Sequence, residues 1–201
     1  MTQLYLAGCE AGSNTTFCIG QGAKHLLVSY FFMKNRRSVV LAERKAANPD
    51  VSFIVDSGAF SLINEANKDA DEVTDDVLEE YLEEYVKWLE NVRGHVVAAV
   101  ELDVDRRVGF GTIREWQQKY FEPLEEKGLP IIYVWHPERG LGEWEAMCKR
   151  HRYCGINAEI FASPLGETVM ATARQYLVKV HGFAMTRQHV FGDMNLASCD
   201  S

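Results

Sequence analysis

Eight short apolar runs, separated by stretches with helical spacing, constrain this chain more than any other feature. They cover 4–7, 26–30, 53–55, 96–102, 131–135, 153–156, 178–183 and, more weakly, 195–199. Runs this short, alternating with helix-period segments, indicate βα units whose strands lie parallel and buried. Eight such units predict a closed (β/α)8 TIM barrel, with an open doubly wound sheet as the alternative.

The clearest helix is predicted over 74–93. Thr74 is a good N-cap, Asp75, Asp76, Glu79 and Glu80 favour the positive end of the helix dipole, and Val77, Leu78, Tyr81, Leu82, Tyr85, Val86, Leu89 and Val92 form an apolar stripe. A second helix is predicted over 113–127, with Thr112 and Glu115 as a capping box and Gly128 as its stop. Weaker helical patterns cover 36–46, 141–151 and 165–177.

The chain has 201 residues and no linker, repeat or low-complexity tract, so the reading is one barrel domain over 1–201, at the small end for this fold. The eighth run ends at Asp200-Ser201. A complete barrel carries a helix after its last strand, so the expectation is a barrel without that helix. A second copy (a homo-oligomer) or a missing C-terminal segment would then cover the exposed flank.

Composition narrows the function classes. The net charge is −8, with basic residues clustered only locally, as in Arg36-Arg37 and Lys149-Arg150-His151-Arg152. That balance does not supply the basic surface of an ordinary polyanion-binding domain. No apolar run approaches the ~18 residues of a membrane span, and the N-terminus lacks a signal-peptide pattern. Five cysteines without a CxxC pair argue against a disulfide framework and a structural zinc site. The expected setting is the cytoplasm, with no membrane partner, no metal and no cofactor.

Chemistry-bearing residues recur where the apolar runs end: Glu10, Ser29, Asp56-Ser57-Gly58, then Glu101, Asp103 and Asp105, His136, Asn157 and Glu159, His181 with Thr186 beyond it, and Asp200. In a parallel barrel these points share the C-terminal rim, where active sites form. Each also has a structural reading. Asp56 can cap or turn the chain, Gly58 can serve a tight turn, Phe60 can be core, and His136 and His181 can be satisfied structural histidines. Asn157, at the end of an apolar strand, needs hydrogen-bond partners, which a ligand can supply. Acids at alternate positions 101, 103 and 105 would share one strand face, with Arg106 and Arg107 as partners for Asp105.

The segments "VDSGAFS", "AAVELDVD", "HGFAMT" and "NLASCDS" resemble, in order and spacing, segments of the tRNA-guanine transglycosylases and their shorter phage and bacterial relatives that act on DNA. The resemblance implies a barrel that binds guanine or a 7-deazaguanine and exchanges the base in DNA or tRNA. It implies Asp56 as acid/base or acceptor in the base pocket, and Ser57, Gly58 and Phe60 as its walls. Asp103 would accept from the base's N–H edge, Asn157 would lie nearby, and Asp200 would be the nucleophile. His136 and His181 complete the expected substrate-binding set. Cleavage of an N-glycosidic bond suits two carboxylates, one stabilising the sugar cation and one relaying the proton. This chain departs from that family in having Ala59 at the second glycine and no zinc-binding CxCxxC cluster. Two alternatives remain: a barrel hydrolase with Glu101, Asp103 and His136 around a divalent metal, and a non-catalytic barrel that binds a nucleobase or a protein.

Overall fold

The computed structural model describes residues 2–36, 39–66, 74–185 and 195–201, apart from the side chains of residues 65 and 66. The strands are β1 (Gln3–Tyr5), β2 (His25–Ser29), β3 (Ser52–Asp56), β4 (Ala98–Val100), β5 (Ile131–Val134), β6 (Tyr153–Asn157), β7 (Lys179–Phe183) and β8 (Ser198–Asp200). They form one sheet in the order β1-β8-β7-β6-β5-β4-β3-β2. With helices between the parallel strands, this is a small (β/α)8 TIM barrel, as the eight apolar runs predicted. The open-sheet alternative is set aside. Among the described residues, no helix is long and apolar enough to cross a membrane.

By internal contacts the chain divides into two compact units, Gly8–Ile131 and Met1–Ala7 with Ile132–Ser201. In the first, β2 pairs with β3 so that Leu27 faces Ile54 and Ser29 faces Asp56, while Ile54 and Val55 of β3 face Ala98 and Ala99 of β4. Leu26, Val28, Phe53, Val55, Ala98 and Ala99 are fully buried, so these strands carry apolar residues on both faces.

Seven α-helices of this unit lie among the described residues: α1 (Gly12–Gly20), α2 (Tyr30–Met33), α3 (Val39–Ala47), α4 (Ala59–Ala66), α5 (Asp75–Val92), α6 (Asp105–Trp116) and α7 (Glu122–Glu126). Helix α5 follows its sequence pattern closely. The Val77 N–H donates to Thr74 Oγ1 at 3.4 Å, and Leu78, Tyr81, Leu82, Tyr85, Leu89 and Val92 are buried. Val77, expected in the stripe, is instead 48% exposed, because it lies in the first turn, at the edge of the packed face.

The second predicted helix starts earlier than the capping box suggested. The helical run begins at Asp105, breaks at Gly109 (φ 81°, ψ 156°), and passes from α6 into α7 through a π-helical turn at Gln117–Phe121. That turn brings Gln117 inward, where it is 3% exposed and donates to Glu101 Oε2 at 2.8 Å. Helix α1 carries little amphipathic pattern, α2 is a single turn and α4 spans only eight residues, and none of the three was expected from the sequence.

In the second unit, β6, β7 and β8 pair in register: Gly155 faces His181, His181 faces Ser198, and Gly182 faces Cys199. Gln3, Leu4 and Tyr5 of β1 face Ser198, Cys199 and Asp200. The helices are α8 (Gly140–Arg150), α9 (Ala158–Phe161) and α10 (Leu165–Gln175). Trp144 of α8 is fully buried and its indole N–H donates to the Val169 carbonyl of α10 at 2.9 Å, which ties the two helices together.

Candidate active site

In the Gly8–Ile131 unit, Asp56 ends β3, as expected, but its carboxylate first serves the chain itself. The Gly58 N–H donates to Asp56 Oδ2 at 2.8 Å, an Asx-type turn that launches α4. Gly58 has φ 79°, and a Cβ there would lie 2.8 Å from Ser29 Oγ and closer still to Phe31 Cβ. The glycine is therefore required both by its backbone angle and by the neighbouring β2 exit. Ser57 is 1% exposed, and its carbonyl accepts from Tyr81 Oη at 2.7 Å. Tyr85 Oη donates to the Val100 carbonyl at 2.9 Å. The "DSGAF" segment is thus held by turn chemistry and by Tyr81 of α5, while Tyr85 ties α5 to the end of β4. Burial, and then the Tyr30 and Asp56 charges, hold the Tyr81 hydroxyl well above its ordinary pKa. Phe60 is 82% exposed in the first turn of α4 and is not core.

The acids at 101, 103 and 105 do not share a strand face, because β4 stops at Val100 and Asp105 already lies in the first turn of α6. Glu101 is 1% exposed and bonded to Gln117. Asp103 is half-buried in the turn between strand and helix.

In the Met1–Ala7 and Ile132–Ser201 unit, His136 is half-buried just after β5 and precedes the 3-10 turn Pro137–Arg139. Asn157 was expected to seek a ligand. It is instead exposed, and its Oδ1 accepts from the Glu159 N–H at 3.1 Å, capping α9. Thr186 lies outside the described residues.

His181 and Asp200 do come together. The His181 ring is fully buried, with Nε2 3.3 Å from Asp200 Oδ2 and Nδ1 2.5 Å from Ser198 Oγ. Ser198 Oγ is in turn bonded to the Tyr153 hydroxyl. The strand register explains the cluster: side chains at 198 and 200 point to one face, with His181 directly opposite Ser198. The Asp200 side chain is 14% exposed. Its Oδ1 accepts from the Ala184 N–H at 2.6 Å, and its backbone carbonyl accepts from Met185 N–H at 2.7 Å. Ala184 adopts φ 53°, a left-handed conformation for a non-glycine residue, at the turn that places both the Ala184 and Met185 amides on Asp200.

One arrangement of protons satisfies every member. Tyr153 donates to Ser198, Ser198 donates to Nδ1, and Nε2–H donates to Asp200. Burial raises the Tyr153 hydroxyl to about 12, so it stays a donor at neutral pH. Tyr153 and Ser198 were missed in the sequence. Their signal is only that each is a polar strand residue on the same face as His181, Ser198 directly opposite it and Tyr153 two residues before its partner Gly155, and that needs the register.

No family model matches this chain, and no curated protein matches it. Solved structures do match in fold. One is a mandelate racemase/muconate lactonizing protein from Herpetosiphon aurantiacus, at TM-score 0.62 and 11% identity, covering 98% of this chain and 54% of that one. This chain therefore spans about half of that protein's length. Another is a mutant tryptophan synthase α-subunit from Pyrococcus furiosus, at TM-score 0.58 and 9% identity, covering 98% and 85%. Identities this low establish the barrel alone. These neighbours overturn the resemblance to tRNA-guanine transglycosylases. The segments that carried it are turn and strand-end patterns that a parallel barrel uses for its own geometry, as Asp56 and Gly58 demonstrate. Guanine binding and base exchange lose their basis with it. The conclusion that stands is that this chain is a small (β/α)8 barrel whose fold neighbours are enzymes.

Proposed function

We propose that the chain is an acid–base enzyme acting on a small polar molecule at the carboxyl ends of β7 and β8. Asp200 is the proton-transferring carboxylate and His181 is the residue that poises it. One observation carries this reading: a partly exposed carboxylate at a strand end is bonded to a fully buried imidazole whose other nitrogen is also tied down. The C-terminal rim is where barrels of this class place their chemistry. A carboxylate there, fixed by the Ala184 amide and the His181 Nε2–H, can take a proton from a substrate and return it while the imidazole stays neutral and holds it in position. Positioned acid–base groups of this kind contribute on the order of 10²–10⁴ in rate.

The test is proton exchange at carbon. A panel of small hydroxy acids, keto acids and sugars is incubated with the protein in D2O and read by NMR. Deuterium uptake by the native chain that falls at least about 100-fold in Asp200→Asn supports the reading. Equal behaviour of native and Asp200→Asn proteins across the panel, with both folded, sinks it.

A further inference from the structure

A second site lies in the Gly8–Ile131 unit, and nothing in the acid–base reading uses it. Arg36 Nη1 donates to the Glu10 carbonyl at 2.8 Å, and Arg44 Nη2 donates to that same carbonyl at 2.7 Å. Arg44 Nη1 reaches the Cys9 carbonyl at 3.3 Å. Two guanidiniums therefore converge on one neutral oxygen. Neither makes an ion pair with a carboxylate among the described residues. The Glu10 carboxylate accepts the Ser29 N–H at 2.8 Å and offsets part of the Arg44 charge only from a distance, without an ion pair. Like charges held this close repel unless something negative lies between or beside them.

The surroundings have room for that partner. A groove of about 480 Å³ runs between α1 and α3, lined in part by Gly12, Thr15, Thr16, Glu43, Arg44 and Asn48. That is within the usual range for small-ligand sites. The start of α1 opens onto it. The N-cap Ala11 provides no capping side chain, and the first turn holds no acid. Arg44 Nη2 lies 3.9 Å from where a Cβ on Gly12 would stand. The helix end adds its own positive potential to that of the guanidiniums.

We infer that Arg44, which lines the α1–α3 groove, and Arg36, which shares the Glu10 carbonyl with it, bind the phosphate group of a small phosphorylated molecule. Two guanidiniums match a dianion better than a single carboxylate charge, and their planar forks suit phosphate oxygens in bidentate pairs. The carbonyl bonds hold both forks in place before the ligand arrives and leave further N–H groups of each free to donate. Glu43, exposed in the same groove, opposes the anion and sets an upper limit on affinity.

The experiment is calorimetric titration of the whole chain with inorganic phosphate, and with acetate in parallel. Arg36 is exposed, so Arg36→Gln leaves the fold in place. The expected result is saturable phosphate binding that weakens at least ten-fold in Arg36→Gln and in Arg44→Gln. It tightens in Glu43→Gln, and acetate binds far more weakly. Absence of saturable phosphate binding by the native chain overturns the inference. So does binding that Arg36→Gln leaves unchanged, or acetate binding as tight as phosphate. Loss of phosphate binding in Glu43→Gln also overturns it, because removing a negative charge from the groove should strengthen the binding of an anion.

Discussion

The Gly58 amide donates to the Asp56 carboxylate at 2.8 Å, and the same glycine packs against Ser29 and Phe31 at the end of β2. The acid that closes the most apolar strand thus acts within its own turn, and the glycine two residues on makes that turn fit. A methyl group at 58 would meet a left-handed φ and two side chains at once. Gly58→Ala is expected to lower stability by about 2–4 kcal/mol. Gly128→Ala, at φ 89° but with open space around it, is the control and should lose about 1 kcal/mol. Urea denaturation of both variants checks the difference. Equal losses would mean that the packing against β2 does not matter.

Ser198 is the hinge of the buried polar chain, bonded to both His181 and Tyr153. Ser198→Ala removes both bonds and leaves a buried imidazole nitrogen and a buried phenol short of a partner. The expected loss is about 1–3 kcal/mol. The denaturation midpoint should fall with an unchanged m-value. An unchanged midpoint would show that water replaces the serine.

Gln117 reaches the buried Glu101 only because the π-helical turn rotates it inward. Gln117→Leu keeps the volume and removes a donor from an almost fully buried carboxylate. A loss of about 2–3 kcal/mol is expected, larger than a neutral hydrogen bond alone would give. Glu101→Gln combined with Gln117→Leu should recover part of it, which a double-mutant cycle measures.

Alkaline pH should unfold this protein early. Burial raises the Tyr30 and Tyr153 hydroxyls to about 12, and raises the Cys9 and Cys199 thiols to about 12 as well. The unfolded references are 10.0 for tyrosine and 9.0 for cysteine. The folded state therefore favours the protonated forms. Their contribution is complete below pH 9 and is lost as pH rises through about 12. Stability measured from pH 8 to 11 should decline from about 9 upward. Tyrosinate absorbance should lag until unfolding and then appear in one step. A plain titration near pH 10 with stability unchanged would contradict the burial.

Much of the fold was legible in the residues. The eight runs located all eight strands, because short buried strands must be apolar on both faces and end in turn chemistry. Helix α5 was legible because eighteen residues give several turns of amphipathic repeat and Thr74 caps it. Helices α1 and α2 were not, since a weak apolar pattern or a single turn gives no period to read. The acidic stretch 101–105 misled because strand alternation was extended past Val100, where β4 had already given way to a turn and then α6.

Sequence by itself thus determined the number, order and parallel character of the βα units, and the placing of polar residues at strand ends. Local periodicity and turn residues encode those features, and they act over a few residues. Only the tertiary structure decided what those polar residues do. Asp56 closes a turn, Asn157 caps a helix, and Glu101 is buried against Gln117. Asp200 meets His181, and Arg36 meets Arg44 across Glu10. Those pairings depend on strand register and helix rotation, which join residues far apart in the chain and leave no local trace in it.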